Sequence, residues 1–266
     1  VPSLSNINLP LDTIEALAWG NDLQLGYSKH PPLSAWFVEF FYKIFGPQDW
    51  AFYFLSQIFV VTSFYIIYKF SESFIQNPIH CLLSVLLLEG IYFYNFTSSE
   101  FNVNICQLPF WTLTVFYCWK GFKKNDSVSW LLFGLFAALG VLSKYLFIYL
   151  LIALDLFFIY IIINKKFSFK CLISLVSFFL VLLPHLIWLF NNDYTTINYA
   201  IFRSIDDPLS GFENYKFLNH ILYPLIFSIK QIGILVPFFI LLFFIISNFH
   251  SKMNYKDNKL FFLISI

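Results

Sequence analysis

Charge is what this sequence is short of. Asp, Glu, Lys and Arg make up 12% of its 266 residues, against about 25% in a soluble domain. With 59% hydrophobic residues and a mean hydropathy of +0.72, the chain has too little polar surface to cover itself in water. A soluble globular protein is thereby excluded. Net charge is small as well, at +1, which removes the electrostatic basis for a nucleic-acid partner. No CxxC pair and no Cys/His metal spacing occurs. Cys81, Cys106, Cys118 and Cys171 fall in or beside apolar segments and read as small buried hydrophobes. No signal peptide opens the chain at Val1, and residues 260–266 stop inside an apolar run. Both ends read as cut, with residues expected on each side.

Long apolar runs, in contrast, are plentiful. A spanning helix needs about 20 mostly apolar residues. Spans are expected at 50–70, 79–96, 105–119, 129–143, 145–163, 171–190 and roughly 221–248, with an eighth beginning near Leu260. Residues 129–163 taken as one helix would overshoot the bilayer, so a hairpin turning at Ser143-Lys144 is expected. The fold class is all-α, a polytopic transmembrane helical bundle. It reads as a single domain over 1–266, truncated at both ends. An outer loop with interfacial helices covers 1–49, a six-helix membrane bundle 50–190, a second outer loop 191–220, and further membrane helices 221–266.

The short loops give orientation. Lys69, Lys120, Lys123, Lys124, Lys165, Lys166, Lys170, Lys252, Lys256 and Lys259 lie in alternate loops, accompanied there only by Glu72, Asp126 and Asp257. The positive-inside rule makes these loops cytoplasmic. Asp12, Glu15, Asp22, Glu39, Asp49, Glu100, Asp193, Asp206, Asp207 and Glu213 fall in the other segments, which then face the periplasm or lumen. Parity puts Val1 outside too, so a transmembrane helix is expected upstream. Residues 33–45, with Glu39 and Lys43 on an aromatic helix, have the pattern of a helix lying on the membrane.

Asp12 and Glu15 are three apart and share a face if helical. Their spacing alone favours a capping box, Asp12 as N-cap and Glu15 reaching back. Pro31-Pro32 forces extended chain ahead of the interfacial helix and holds Lys29 and His30 at the membrane surface. Lys144 sits at the tip of an apolar hairpin, where it either binds an anion or snorkels to headgroups. Glu89 and Asp155 fall inside expected spans, where a charge usually faces a cavity or a bundle interior. Asp155 reads as a packing or protonated residue. Asn102 and Asn104 suit either sugar hydroxyls or a helix start. His185 reads as a satisfied buried histidine.

The run from Leu11-Asp12-Thr-Ile-Glu15 through Gly26-Tyr27-Ser-Lys29-His30-Pro31-Pro32 resembles the first outer loop of the glycosyltransferase family 39 clan. That clan includes protein O-mannosyltransferases and the bacterial aminoarabinose transferase of lipid A. The resemblance continues through Glu89, Tyr94-Asn95, Phe101-Asn102-Val-Asn104, Leu108-Pro109-Phe-Trp111, Leu142-Ser143-Lys144-Tyr145 and Pro184-His185-Leu-Ile-Trp188. It implies a GT-C membrane fold in a bacterial inner membrane, with the active site facing the periplasm. It also implies inverting transfer of sugar from a polyprenyl-phosphate donor to an acceptor hydroxyl on lipid A, another glycolipid or a protein. Asp12 matches the family's catalytic Asp, which follows the first span. Relatives often carry an acidic pair; here Thr13 follows Asp12, and Glu15 is the candidate substitute.

Such a transfer needs a base for the acceptor proton and cations for the departing phosphate. Asp12 is the expected base, and Lys29, Lys144 and Arg203 the phosphate partners. Glu15, His30, Glu89, Asn102 and Asn104 are the remaining expected substrate contacts. No cofactor is certain from the sequence, and a divalent metal held by Glu15, His30 and His185 is the metal option. The rival class is a transporter or flippase for a lipid-linked or anionic substrate, which should show broken helices in repeated halves. The sequence has no internal repeat, and its polar residues cluster outside the midplane.

Overall fold

A computed structural model describes residues 2–205 and 216–246, and every described element is helical. Asp206, Asp207, Glu213, Lys252, Lys256, Lys259 and the eighth expected span lie outside the described residues. In chain order the helices are α1 (Pro2–Ser5), α2 (Leu11–Gly20), α3 (Leu33–Phe45), α4 (Asp49–Ser71), α5 (Pro78–Leu86), α6 (Tyr92–Asn95), α7 (Val103–Lys124), α8 (Ser127–Ser143), α9 (Ile148–Ile163), α10 (Leu172–Asn191), α11 (Thr195–Ile205) and α12 (Lys216–Ile246). Segments Asp49–Ser71, Tyr145–Ile163, Phe169–Asn191 and His220–Phe244 are long and apolar enough to cross a membrane.

Local sequence sets the boundaries. Asn102 starts α7, its side chain accepting from the backbone N–H groups of Asn104 and Ile105. Asn125 ends the same helix in the left-handed conformation, at φ 50°, a role Asn fills readily. Asp126 caps α8, accepting from the Ser129 N–H and hydroxyl, and those bonds hold its carboxyl below the usual range. The apolar stretch 129–163 breaks where the expected hairpin turns. Helix α8 stops at Ser143, Lys144 is extended, and a short 3-10 turn at Tyr145–Phe147 leads into α9. Ring contacts of Trp130 and Phe133 with Phe158, at 5.8 and 6.0 Å, hold α8 and α9 antiparallel.

Three expected spans are not among those four segments: 105–119 lies in α7, 129–143 lies in α8, a shorter apolar helix of 17 residues, and 79–96 is bent. Residues 79–96 are not a continuous helix, because the segment bends by 92° between Pro78–Gly90 and Tyr92–Ser99. Two interactions account for the break. The Ser98 carbonyl is taken by the Ser56 hydroxyl and the Gln57 amide of α4, which pulls the chain sideways. Gly90 lies against the backbone of Phe238 in α12, so the turn is wedged between two helices.

Helix α3 has 13 residues, about 20 Å of length, which is too short to cross. It buries Leu33, Ala35, Val38 and Glu39 against its neighbours while Phe40, Tyr42 and Ile44 stay exposed. Glu39 and Lys43 pair one turn apart at 3.4 Å. Pro32 already has helical dihedrals, φ −79° and ψ −19°, so the extended stretch ends one residue sooner than expected. A Pro restricts the residue before it, and here that residue is Pro31. The expected outer loop 191–220 contains α11, and α12 begins at Lys216.

The four cysteines are buried and free, in line with their reading as hydrophobes. Cys106, Cys118 and Cys171 join a core of Phe52 and Leu55 from α4, Ile105 from α7, Phe133 from α8, Leu154 and Phe157 from α9 and Leu182 from α10, with Phe147 from the turn before α9. That bundle has two unlike ends. The loops after α4, α7 and α9 meet at one end, where Phe74 stacks on Trp119 and the Lys170 ammonium reaches the Asn125 carbonyl. At the other end lie α2, the 21–32 loop, and the starts of α3, α7 and α9.

Candidate active site

The site is assembled at that second end, around α2. Gly20 lets the last turn of α2 press on α3, because a Cβ there would meet the Ala35 carbonyl and the Glu39 side chain. The Thr13 hydroxyl donates to the Phe101 carbonyl at 3.0 Å and ties α2 to the approach to α7. Thr13 is therefore a buried structural residue, which gives the departure from an acidic pair a physical role.

The loop between α2 and α3 follows. A surface loop must place its backbone polar groups somewhere, and here side chains from distant helices take them. Trp36 donates to Gln24 O, the His185 ring nitrogen Nδ1 meets Leu25 O at 2.6 Å, and Thr196 donates to Tyr27 O. Gly26 fits under the Trp188 ring, where any Cβ would overlap the aromatic carbons. These contacts aim Lys29 and His30 back towards α2.

Asp12, Glu15, His30 and Asn102 line one small cavity with Trp19 and Ser34. It has a volume of about 10 Å³, roughly one water molecule, so a sugar would lie over it rather than inside. Asp12 is exposed in the first turn of α2. Glu15 accepts from Lys29 at 2.7 Å. His30 meets Trp19 edge-on at 5.9 Å. Burial, with the Lys29 charge adding to it, brings the His30 pKa down to about 4, so the ring is neutral at pH 7. Tyr27 stacks on Trp19 at 5.4 Å, and burial pushes its phenol up to about 12.

Lys144 comes to the same place from the α8–α9 turn. Its ammonium donates to the Asn104 side-chain oxygen. Burial lowers its pKa from the ordinary lysine value, and the Asp12 carboxylate partly restores it. The ammonium is a partly desolvated cation within electrostatic reach of Asp12.

The capping-box reading of Asp12 fails. The N-cap of α2 is Pro10, with no side-chain cap, and Asp12 is the second helical residue. The first-turn N–H groups of Thr13 and Ile14 bond the Pro10 carbonyl instead. Asn102 caps α7 and lines the cavity as well. Five expected residues are not in the cavity wall: Lys29, Asn104 and Lys144, which adjoin it, and Glu89 and Arg203, which lie elsewhere. Glu89 is exposed on the 3-10 turn Leu87–Gly90, beside α5, α6 and α12. Arg203 is exposed on α11 and reaches the Tyr199 hydroxyl at 3.2 Å. The metal option also loses its ligands. His185 has both ring nitrogens engaged, by Leu25 O and the Tyr145 hydroxyl, and Glu15 is paired with Lys29. Among the described residues no group of three His, Cys, Asp or Glu side chains is placed to hold an ion.

Residues 29–188 match the dolichyl-phosphate-mannose-protein mannosyltransferase family. The chain belongs to that family. No curated protein matches it, and no solved structure does. Membership makes it a membrane glycosyltransferase with a lipid-linked sugar donor and an acceptor at the membrane. The family match takes in Lys29, His30, Glu89, Asn102, Asn104 and Lys144, whereas Asp12, Glu15 and Arg203 lie outside it. Trp19, Tyr27, Ser34 and Thr13 are the residues that the sequence reading passed over. Trp19 and Tyr27 stood inside the quoted motif, but nothing in their spacing distinguished a site wall from an aromatic membrane belt.

Proposed function

We propose that this glycosyltransferase moves a sugar from a polyprenyl-phosphate donor to an acceptor hydroxyl, on the periplasmic face of a bacterial inner membrane. The acceptor is lipid A or another lipopolysaccharide sugar, another glycolipid, or a protein. The observation that carries this reading is the convergence of Asp12, Glu15, His30 and Asn102 on one cavity, with Lys144 beside it. Acid, cation and polar donors then stand together where a lipid-borne sugar can reach them.

In this mechanism Asp12 takes the proton of the acceptor hydroxyl. The acceptor oxygen forms a bond to the anomeric carbon as the bond from that carbon to the phosphate oxygen breaks. The electron pair leaves on the phosphate. Direct displacement of this kind inverts the anomeric configuration. Lys144 receives the developing phosphate charge, and its partial burial strengthens that interaction. Lys29 holds Glu15 in place and becomes a second phosphate partner if the pair opens. Neutral His30 supplies a hydrogen bond to a sugar hydroxyl. Arg203, on α11, is a further phosphate partner only if that helix is drawn in by the donor. No step calls on a metal.

The test is Asp12→Asn in the full-length protein. A general base contributes typically 10²–10⁴-fold in rate, so transfer should fall at least about a hundredfold while the protein inserts and still binds donor. Transfer near the wild-type rate would remove Asp12 from the mechanism. Mass spectrometry of envelope lipids with and without the intact gene identifies the substrates, since a lost hexose, pentose or uronic acid names sugar and acceptor together.

One observation favours the alternative, a transporter or flippase for a lipid-linked or anionic substrate. The Pro78–Ser99 segment is bent like a discontinuous transporter helix. Transporters place such breaks in corresponding positions of two halves. Among the described residues one bent pair occurs, and Asp12 and Lys144 lie at the bundle end.

A further inference from the structure

A second polar region lies at the opposite end of the bundle. The end of α7, the start of α8, the end of α9 and the lead into α10 enclose a cavity of about 650 Å³, within the range of ligand sites. Lys165, Lys166 and Lys170 line it, with Asn125 and Trp130. No acid lines it. Lys170 bonds the Asn125 carbonyl, so the rim is tied across two loops.

Two independent features indicate what would occupy it. Trp130 is 3% exposed, and its indole N–H has no acceptor. A buried donor without a partner is costly, and Trp130 is one of the residues that line this cavity. The second feature is an adjoining apolar groove of about 330 Å³, walled by α8, α9 and α10. It shares Phe158, Phe167 and Cys171 with the basic cavity and continues past Ala137, Leu151 and Phe178. A free anion would use the lysines and leave the groove empty. A phospholipid would use both, with its phosphate among the lysines and an acyl chain along the groove. Basic pockets between transmembrane helices bind anionic headgroups in this way. The one acid on the groove wall is Asp155. It is ten residues before Lys165, about 15 Å along a helix, beyond the headgroup.

We propose that this cavity and groove form a binding site for one anionic phospholipid, separate from the sugar-transfer site. The test is native mass spectrometry of the purified full-length protein, released from detergent with palmitoyl-oleoyl phosphatidylglycerol or phosphatidylcholine. One phosphatidylglycerol per chain should be retained in preference to phosphatidylcholine. Each lysine near an anionic headgroup is worth about fivefold in binding. Lys165→Gln with Lys170→Gln should therefore reduce that preference at least about tenfold, and Lys165→Arg with Lys170→Arg should keep most of it. Trp130→Phe, which keeps the ring and removes the donor, should lower it a few-fold. Lys69→Gln, at the same end but paired with Glu72, should change nothing. Equal retention of the two lipids, or an unchanged preference in the double Gln variant, overturns the site. Displacement of the lipid by millimolar inorganic phosphate would reduce it to an anion site and overturn the lipid assignment. If the double Gln variant does not fold, Trp130→Phe alone decides.

Discussion

The two ends of this bundle use the same residue types in opposite ways. At the α2 end, acids and cations lie close together around a space of about 10 Å³, with Lys29 on Glu15 and Lys144 on Asn104. At the other end, three lysines line about 650 Å³, with no acid among the described residues of the wall. In the proposed function, the first arrangement fixes side chains for chemistry on a group that comes to them. The second leaves positive charge facing a space large enough to hold a group. Lysine content alone would have ranked the second end as the phosphate site. The partial burial of Lys144 and the nearby Asp12 favour the α2 end in the proposed function.

The comparison breaks most sharply on sidedness. Single cysteines at Lys123 and Lys166 should resist impermeant thiol reagents in intact cells, while one at Asp22 should label. The four native cysteines are buried and give a low background. Labelling at Lys123 would exchange the two faces and move the transfer site off the periplasmic side.

Next in size is the contrast between two lysines. A charged hydrogen bond is worth about 1.5–3 kcal/mol, so Lys144→Ala should cost roughly ten- to a hundredfold in transfer, with Arg recovering part. Lys165→Ala should leave transfer unchanged at equal protein levels. If both variants are silent, Lys144 is no phosphate partner.

A smaller effect is expected from Gly26→Ala. The new methyl overlaps Trp188, and overpacking costs typically 1–3 kcal/mol. Melting of the purified protein should drop by a few degrees, and an unchanged melt would mean that the loop is free to shift.

The smallest is a pH slope. The His30 pKa falls from 6.5 unfolded to about 4 folded. Between those values the unfolded chain binds more protons, so stability declines as pH falls from 6.5 to 4 and is fully present above 6.5. His30→Gln should flatten that part of the melting-against-pH curve. An equal slope in the variant would assign it to other groups.

Much of this architecture was legible beforehand because a bilayer leaves few choices. Apolar length gave α4, α9, α10 and α12, and the polar pair Ser143-Lys144 gave the hairpin. The broken segment after Pro78 was not legible, since the contacts made there come from far along the chain, Ser56 bonding Ser98 across 42 residues and Phe238 lying against Gly90. In the site, spacing rightly put Asp12 and Glu15 on one face but misassigned Asp12 as a cap. The capping position went to Pro10, whose fixed φ leads into the helix without any side-chain bond. Pairings such as Lys29 with Glu15 and Lys144 with Asn104 depend on tertiary contacts that no local pattern encodes.

The bonds that secure the 21–32 loop also set a timetable. His185 and Thr196 contact Leu25 and Tyr27 across 160 and 169 positions of sequence. A ribosome adds about 5–20 residues per second, so α2 leaves it roughly 10–30 s before its last supports exist. During that interval Asp12 is already in place on its helix, but Lys29 and His30 are not yet held against it. A nascent chain stopped before α10 would thus carry the acid without the enclosure, and catalytic competence would arrive late in synthesis rather than grow with each inserted helix.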